Sequence, residues 1–350
     1  MNTRSKLAFM ILGLVLTAAA PLPESNEPLG RAIAWLGDQQ QPDGGYSNGF
    51  TSGSDVGTTA DVVLAVALAG QASSFWGAQA PHPGDYLEAQ VAAGSVSGPG
   101  LSAKVALAAI TLGREPREFG GVDLLSAVRD GYDSSLGLFG GGTFDSALCV
   151  LALSLAGEPL PEGALQGILA TRLDDGSYAF NGDTTPGGGD SNTTGLVVQA
   201  LVAAGSAGEI APSLEYFRQA QNPDGGWTYQ KPSAYGEETD ANSTALVIQA
   251  LLAAGERLED WGHPTSALLA LQQESGAFAF NASTPGESLL ATVQAIPALA
   301  GAGYSDVTSQ GIGGAAGAAL GERPTAIAIS VIVVTAVVLT IVGLASRRRT

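Results

Sequence analysis

The 350-residue chain has little of what usually carries chemistry. It holds one cysteine, Cys149, and two histidines, His82 and His263. One cysteine excludes an internal disulfide. A zinc site takes three or four Cys, His or carboxylate ligands, and this chain can hardly assemble one, so neither a metal nor a cofactor is expected. Only three lysines occur, a scarcity compatible with a salt-rich habitat. Charged residues make up 14% of the chain, and 33 acids face 15 bases for a net charge of −18. That balance argues against nucleic acid and anionic membrane surfaces as partners. It admits cationic ligands, although a solvated acidic coat that aids solubility is the better explanation.

What the chain does have is glycine, 48 residues of it, and much of that glycine recurs in one short phrase. The phrase is a glutamine, three residues, a glycine, one residue, then an aromatic. Gln221 to Trp227 (QNPDGGW) is its clearest copy, with Gly225 as the key glycine. Gln40, Gly44 and Tyr46 match it, as do Gln272, Gly276 and Phe278. Gln90 to Val96 loses the aromatic, while Asp133 to Phe139 and Arg172 to Tyr178 lose the glutamine. The six key glycines, at 44, 94, 137, 176, 225 and 276, lie 39 to 51 residues apart. A period of that size marks a helical-hairpin repeat.

An amphipathic helix precedes each phrase, four of them opening on a proline near the first turn. A more apolar, alanine-rich helix follows: Thr58–Gly70, Leu101–Gly113, Phe144–Gly157, Asn192–Gly205, Asn242–Gly255 and Ser288–Gly301. Six half-buried and six buried helices in alternation predict two concentric layers. The expected fold is all-α, an α6/α6 toroid of six helical hairpins, with one C-terminal transmembrane helix. An open solenoid is the alternative; it would need polar capping repeats, and none is evident. In the phrase itself, the glutamine amide should bind the backbone of the turn, the glycine should supply its positive φ, and the aromatic should cover the next hairpin.

Gln221, Gly225 and Trp227 resemble the QW motif of squalene and hopene cyclases, which protein prenyltransferase β subunits share in looser form. The resemblance covers Pro28 to Gly301 and implies the α/α toroid of the terpenoid cyclase and prenyltransferase superfamily. Cobalamin carriers use a similar barrel. Phe119 to Leu124 and Asn242 to Leu246 look most like exported bacterial proteins that carry such repeats without a settled activity. The families' catalytic residues do not carry over. The chain has no Asp-x-Asp-Asp acid, no Asp-Asp-x-x-Asp motif and no Asp/Cys/His zinc set.

The two ends read as addresses. Residues 1–20 have the charged start, ten-residue apolar core and small residues of a signal peptide. Residues 21–301 form the toroid domain and 302–325 a flexible Gly/Ala-rich linker. Residues 326–344 are apolar and long enough to span a bilayer, and 345–350 form a basic tail that the positive-inside rule keeps in the cytoplasm. The expected location is therefore the cell membrane, single-pass, with the toroid outside, and the expected partners are the bilayer and a small-molecule or surface ligand.

Candidate ligand residues come from a polar pair seven residues apart on the last three inner helices: Asn192 and Gln199, Asn242 and Gln249, Glu287 and Gln294. They either line a cavity or hydrogen-bond neighbouring helices. If the chain is an enzyme, Asp55, Asp190, Asp240 and Glu287 at the barrel mouth are its first candidates; as structural residues the aspartates are N-caps. Trp76 and Trp261 are candidate exposed contacts. Phe180 and Phe280, in the repeated Tyr/Phe-Ala-Phe, read as inter-repeat packing. The leading functional expectation is a non-catalytic binding or interaction module for a small or amphipathic ligand; the alternative is a diverged terpenoid-cyclase-like or carbohydrate-active enzyme.

Overall fold

The structure is a computed structural model and describes residues 28–50, 52–71, 81–234 and 236–307. Along it run α1 (Pro28–Gly37), α2 (Val56–Leu68), α3 (Pro83–Ala92), α4 (Pro99–Thr111), α5 (Leu124–Asp130) and α6 (Thr143–Leu155), followed by α7 (Ala164–Ala170), α8 (Ser191–Ala203), α9 (Ala211–Ala220), α10 (Ala241–Ala253), α11 (Pro264–Leu269) and α12 (Leu289–Ala300). The even-numbered helices form the inner ring and the odd-numbered helices wrap it. Each inner helix packs on the next, and α12 packs back on α2. The ring is closed, so the open solenoid is excluded. Two short antiparallel hairpins also occur: β1 (Tyr132–Asp133) with β2 (Leu138–Phe139), and β3 (Phe278–Asn281) with β4 (Thr284–Ser288).

Aligned from their first residues, the inner helices repeat position by position. The tenth residue is alanine in all six: Ala65, Ala108, Ala152, Ala200, Ala250 and Ala298, all buried. A methyl side chain at that level lets neighbouring helices pack closely. The fourth residue is always Ser or Thr. At five repeats its hydroxyl accepts the backbone N–H of the aromatic in the preceding phrase: Thr59 from Tyr46, Ser146 from Phe139, Thr194 from Tyr178, Thr244 from Trp227 and Thr292 from Phe278, at 2.8–3.0 Å. These five aromatics are fully buried, and a buried N–H without a partner would be costly.

The glutamine of the phrase ties its own turn to the start of the next outer helix or the segment leading into it. Gln221 Nε2 donates to Gly225 O at 2.8 Å and to Trp261 O at 2.7 Å. Gln40 Nε2 donates to Gly44 O and Pro81 O. Gln272 Nε2 donates to Gly276 O and to Pro28 O, both within 2.9 Å, and Arg31 Nη2 donates to Gln272 Oε1 at 2.7 Å. The last phrase thereby clasps the first helix and seals the ring. Gly225 has φ +94° and its turn lies against Gly262; a Cβ there would stand 2.3 Å from Gly262 O. The copy at Gln90–Val96 is not equivalent. Gly94 lies two residues past α3, its N–H bonding Val91 O while Ser95 N–H bonds Gln90 O, a helix-terminating pattern.

Two expectations need correction. Ala302–Val307, assigned to the linker, folds back against α2, α6, α8 and α10 as a 3-10 turn over Tyr304–Asp306, and Val307 is buried. Glycine and alanine content suggested a loose tether, but small residues are also what a closely packed backbone requires. Trp261 is buried rather than exposed, 6.3 Å from Trp227 between ring centroids and with the Arg218 guanidinium 3.9 Å above its ring. Trp76 lies outside the described residues, as do residues 1–20 and 326–344, the expected leader and membrane span. Among the described residues no helix is long and apolar enough to cross a membrane.

Candidate functional site

The sixth residues of the six inner helices meet at the barrel axis: Asp61, Lys104, Leu148, Leu196, Leu246 and Gln294. All six line one small central cavity of about 30 Å³, together with Phe144 and Tyr304. That volume holds a water molecule and little more. Lys104 Nζ donates to Asp61 Oδ2 at 2.9 Å, with the side chains 22% and 12% exposed. Burial raises the Asp61 carboxyl above its ordinary range; Lys104 pulls the other way but less strongly, and Asp55 adds to the rise.

A second carboxylate approaches the pair. Gly100 is four residues before Lys104 and so on the same face of α4. A Cβ on Gly100 would stand 2.3 Å from Asp145 Oδ1, so the absence of a side chain there is what admits Asp145. Burial raises the Asp145 carboxyl, again against the pull of Lys104. Burial also pushes the Cys149 thiol well up, and Asp145 contributes to that shift.

The C-terminal turn floors the axis. Tyr304 N–H donates to Gln199 Oε1 at 2.7 Å, and Gly303 N–H donates to Asp306 Oδ2. A side chain at Gly303 would collide with Gln199 Oε1 at 2.5 Å. The Tyr304 ring then faces the cavity beneath the Asp61–Lys104 pair, and burial raises its hydroxyl.

At the opposite end, where the inner helices begin, the second residues form the next level: Gly57, Gly100, Phe144, Asn192, Asn242 and Leu290. Around them stand residues two places beyond the buried aromatics. Phe180 is 56% exposed, Tyr229 44% and Phe280 40%, and Leu290 adds 48%. Phe180 stacks on Phe144 at 5.1 Å, and its carbonyl accepts the Phe144 N–H. Tyr229 O accepts the Ser191 N–H at 2.8 Å. Phe180 thus packs across to the preceding repeat through Phe144, and it and Phe280 also leave an exposed face at the rim. Tyr178 and Phe278, the first rings of the same strings, are buried.

The residues singled out in the sequence take the following places. Asp55, Asp190 and Asp240 cap α2, α8 and α10 by accepting the N–H of Thr58, Thr193 and Ser243, each at 2.7 Å. Burial pushes Asp190 and Asp240 up to about 6, against the lowering effect of those hydrogen bonds. Glu287 is exposed on β4, not on an inner helix. It is therefore no partner to Gln294, which sits at the sixth position, three residues out of step with Gln199 and Gln249 at the ninth. Asn242 Nδ2 donates to Gln294 Oε1 at 2.7 Å, and Gln249 Nε2 donates to Gln294 O at 3.0 Å. Gln199 is held by Tyr304. Most of the amide capacity thus goes to other parts of the chain, while Asn192 Oδ1 and Gln249 Oε1 are buried with no hydrogen-bond partner among the described residues.

Asp61, Lys104 and Asp145 escaped the sequence reading. The signal was present: Asp61 and Lys104 are charges inside apolar helices. Asp61 and Lys104 already fall into line, four residues after Gly57 and Gly100, the positions that match Asn192 and Asn242; Gln294 joins them only when α12 is aligned on its Thr292 at position four. A larger, open groove of about 510 Å³ lies on the outer wall between Asn222–Asp224, Glu237–Thr239 and Ala267–Leu271. Among the described residues no three His, Cys, Asp or Glu side chains converge as metal ligands.

No protein-family model matches the chain, and no curated protein matches it. Solved structures do. The type II terpene cyclase MstE from Scytonema, in its apo form, superposes with a TM-score of 0.57 at 14% identity, over 78% of this chain and 96% of that one. An unsaturated glucuronyl hydrolase specific for heparin gives 0.57 at 9%, over 78% and 95%. Haptocorrin in complex with Cbi gives 0.55 at 16%, over 81% and 68%. At these identities the likeness is one of fold: a terpenoid cyclase-like α/α toroid.

Proposed function

We propose that this toroid is a non-catalytic binding module, held outside the cell by its C-terminal apolar segment, which takes a neutral or cationic amphipathic ligand on the rim where the inner helices begin. The carrying observation is the filled axis. A pocket that engulfs a small molecule measures roughly 300–1,000 Å³, whereas the central cavity here has about 30 Å³. The turn at Tyr304 closes one end, and leucines at the sixth position fill the middle. The carboxylates considered for acid–base work face elsewhere. Asp55, Asp190 and Asp240 cap helices, and Glu287 points to solvent.

The rim offers flat aromatic faces at Phe180, Tyr229 and Phe280 beside the buried Asn192 oxygen that lacks a partner. Asp183, Glu237, Glu238 and Glu287 lie in the surrounding loops against a single Lys231, and this disfavours polyanions. The test is a thermal-shift screen of the purified protein against neutral oligosaccharides, isoprenoid alcohols and corrinoids. A ligand at 100 times its Kd stabilises by about 2.7 kcal/mol, and the shift should vanish in Phe180→Ala with Phe280→Ala. A screen in which no class raises the melting temperature removes the small-ligand reading.

A further inference from the structure

We propose that Lys104 and Asp61 are joined by an intramolecular isopeptide bond, with Asp145 relaying the protons. Lys104 and Lys231 are the only lysines among the described residues. Lys231 donates to Asn222 on the periphery, whereas Lys104 projects into the barrel axis. Its Nζ lies 2.9 Å from Asp61 Oδ2, which leaves the carboxyl carbon one bond further on. The rest of the cavity wall is Phe144, Leu148, Leu196 and Leu246 with two polar side chains, Gln294 and Tyr304.

Burial of this kind disfavours the ion pair relative to its neutral form, amine and carboxylic acid. It also limits contact with bulk water, which would favour the reverse reaction. Fixing the two groups on adjacent helices α2 and α4 makes the encounter intramolecular. Lys104 first passes a proton to a carboxylate. Its free amine attacks Cγ of Asp61, and a new C–N bond forms. Asp145, whose carboxyl burial also raises, gives a proton to the departing hydroxyl and accepts one from the nitrogen. The C–O bond breaks and one water leaves. An ammonium and a carboxylate become an amide and water, with no oxidant or cofactor needed. A chain with a single cysteine would thereby gain a covalent staple between the first two inner helices, and the staple would constrain the unfolded chain as a disulfide does.

Mass analysis of a tryptic digest of the full chain tests this. Residues 32–104 contain no other lysine or arginine, and the next site is Arg114. A linked Lys104 resists trypsin, so the expected product is the 32–114 fragment, lighter than its sequence by one water. Asp145→Asn should restore cleavage after Lys104 and the full mass, and Lys104→Met should give a 32–114 fragment of full mass. A wild-type fragment ending at Lys104 with its sequence mass overturns the proposal, and this holds whether or not either variant folds. A fragment lacking water but still cut after Lys104 also overturns it, because that is a cyclised aspartate and not a cross-link.

Discussion

At the residue scale, Gln272 does more than its copies because two of its partners, Pro28 and Arg31, belong to the opposite end of the chain. Its amide holds Gly276 O and Pro28 O, and its oxygen receives Arg31. Gln272→Ala is expected to destabilise the protein by about 1–3 kcal/mol, read in a denaturant melt. Gln39→Ala, whose single bond of 3.3 Å runs to Trp35 O within the same repeat, should cost less. Asp190 and Asp240 give a pH dependence. Both are pushed up to about 6 from 3.8, so between those values the folded state holds more protons than the unfolded state. Stability then falls as pH rises from about 4 to about 6 and is flat with respect to these groups above that. Melting temperatures across that range should lose much of this slope in Asp190→Asn with Asp240→Asn.

At the element scale, four of the six inner helices are fastened twice at their start. An acid or serine caps four of them: Asp55, Asp190, Asp240 and Ser288. The Ser/Thr at position four then holds the buried aromatic of the phrase before it. Thr244 both accepts the Trp227 N–H at 3.0 Å and donates to Trp227 O at 3.2 Å. Thr244→Val keeps the volume but strands a buried N–H, a loss of about 1–3 kcal/mol. Thr244→Ser should recover most of it, and urea unfolding of the two variants separates hydroxyl from methyl. The phrase was legible because it is contiguous. Its partner at position four was not, since a lone Ser or Thr near a helix start reads as a cap or turn residue. The second copy was misread for the same reason: a glycine two residues past a helix and a glycine inside a turn look alike in one dimension.

At the scale of the whole molecule, a closed ring leaves an axis that something must fill or occupy. Here the chain supplies Tyr304. Tyr304→Ala would open the floor beneath Asp61 and Lys104, and an aromatic-to-alanine change of this kind typically costs about 3–5 kcal/mol; because Tyr304 is not fully enclosed, the lower end is expected. A calorimetric melt checks the size. A chain ending at Gly301 should melt at least as low as this variant, because it also loses the Gln199–Tyr304 hydrogen bond and the buried Val307.

The sequence by itself determined the hairpin repeat, its number and the two helical layers, because local periodicity and turn chemistry act over a few residues and repeat identically. It also placed Asp55, Asp190 and Asp240 at helix starts, where capping is a local affair. Only the tertiary structure decided which residues share the axis. Asp61, Lys104 and Gln294 come from different repeats, and their meeting depends on how each helix is rotated in the ring. That rotation is fixed by packing of alanines and by hydroxyl clasps to the turn before each helix, neither of which has a period that can be read along one helix. The same holds for the rim and the floor: Phe180 and Tyr304 acquire their places only when the ring closes and brings the strands of loop above and below it together.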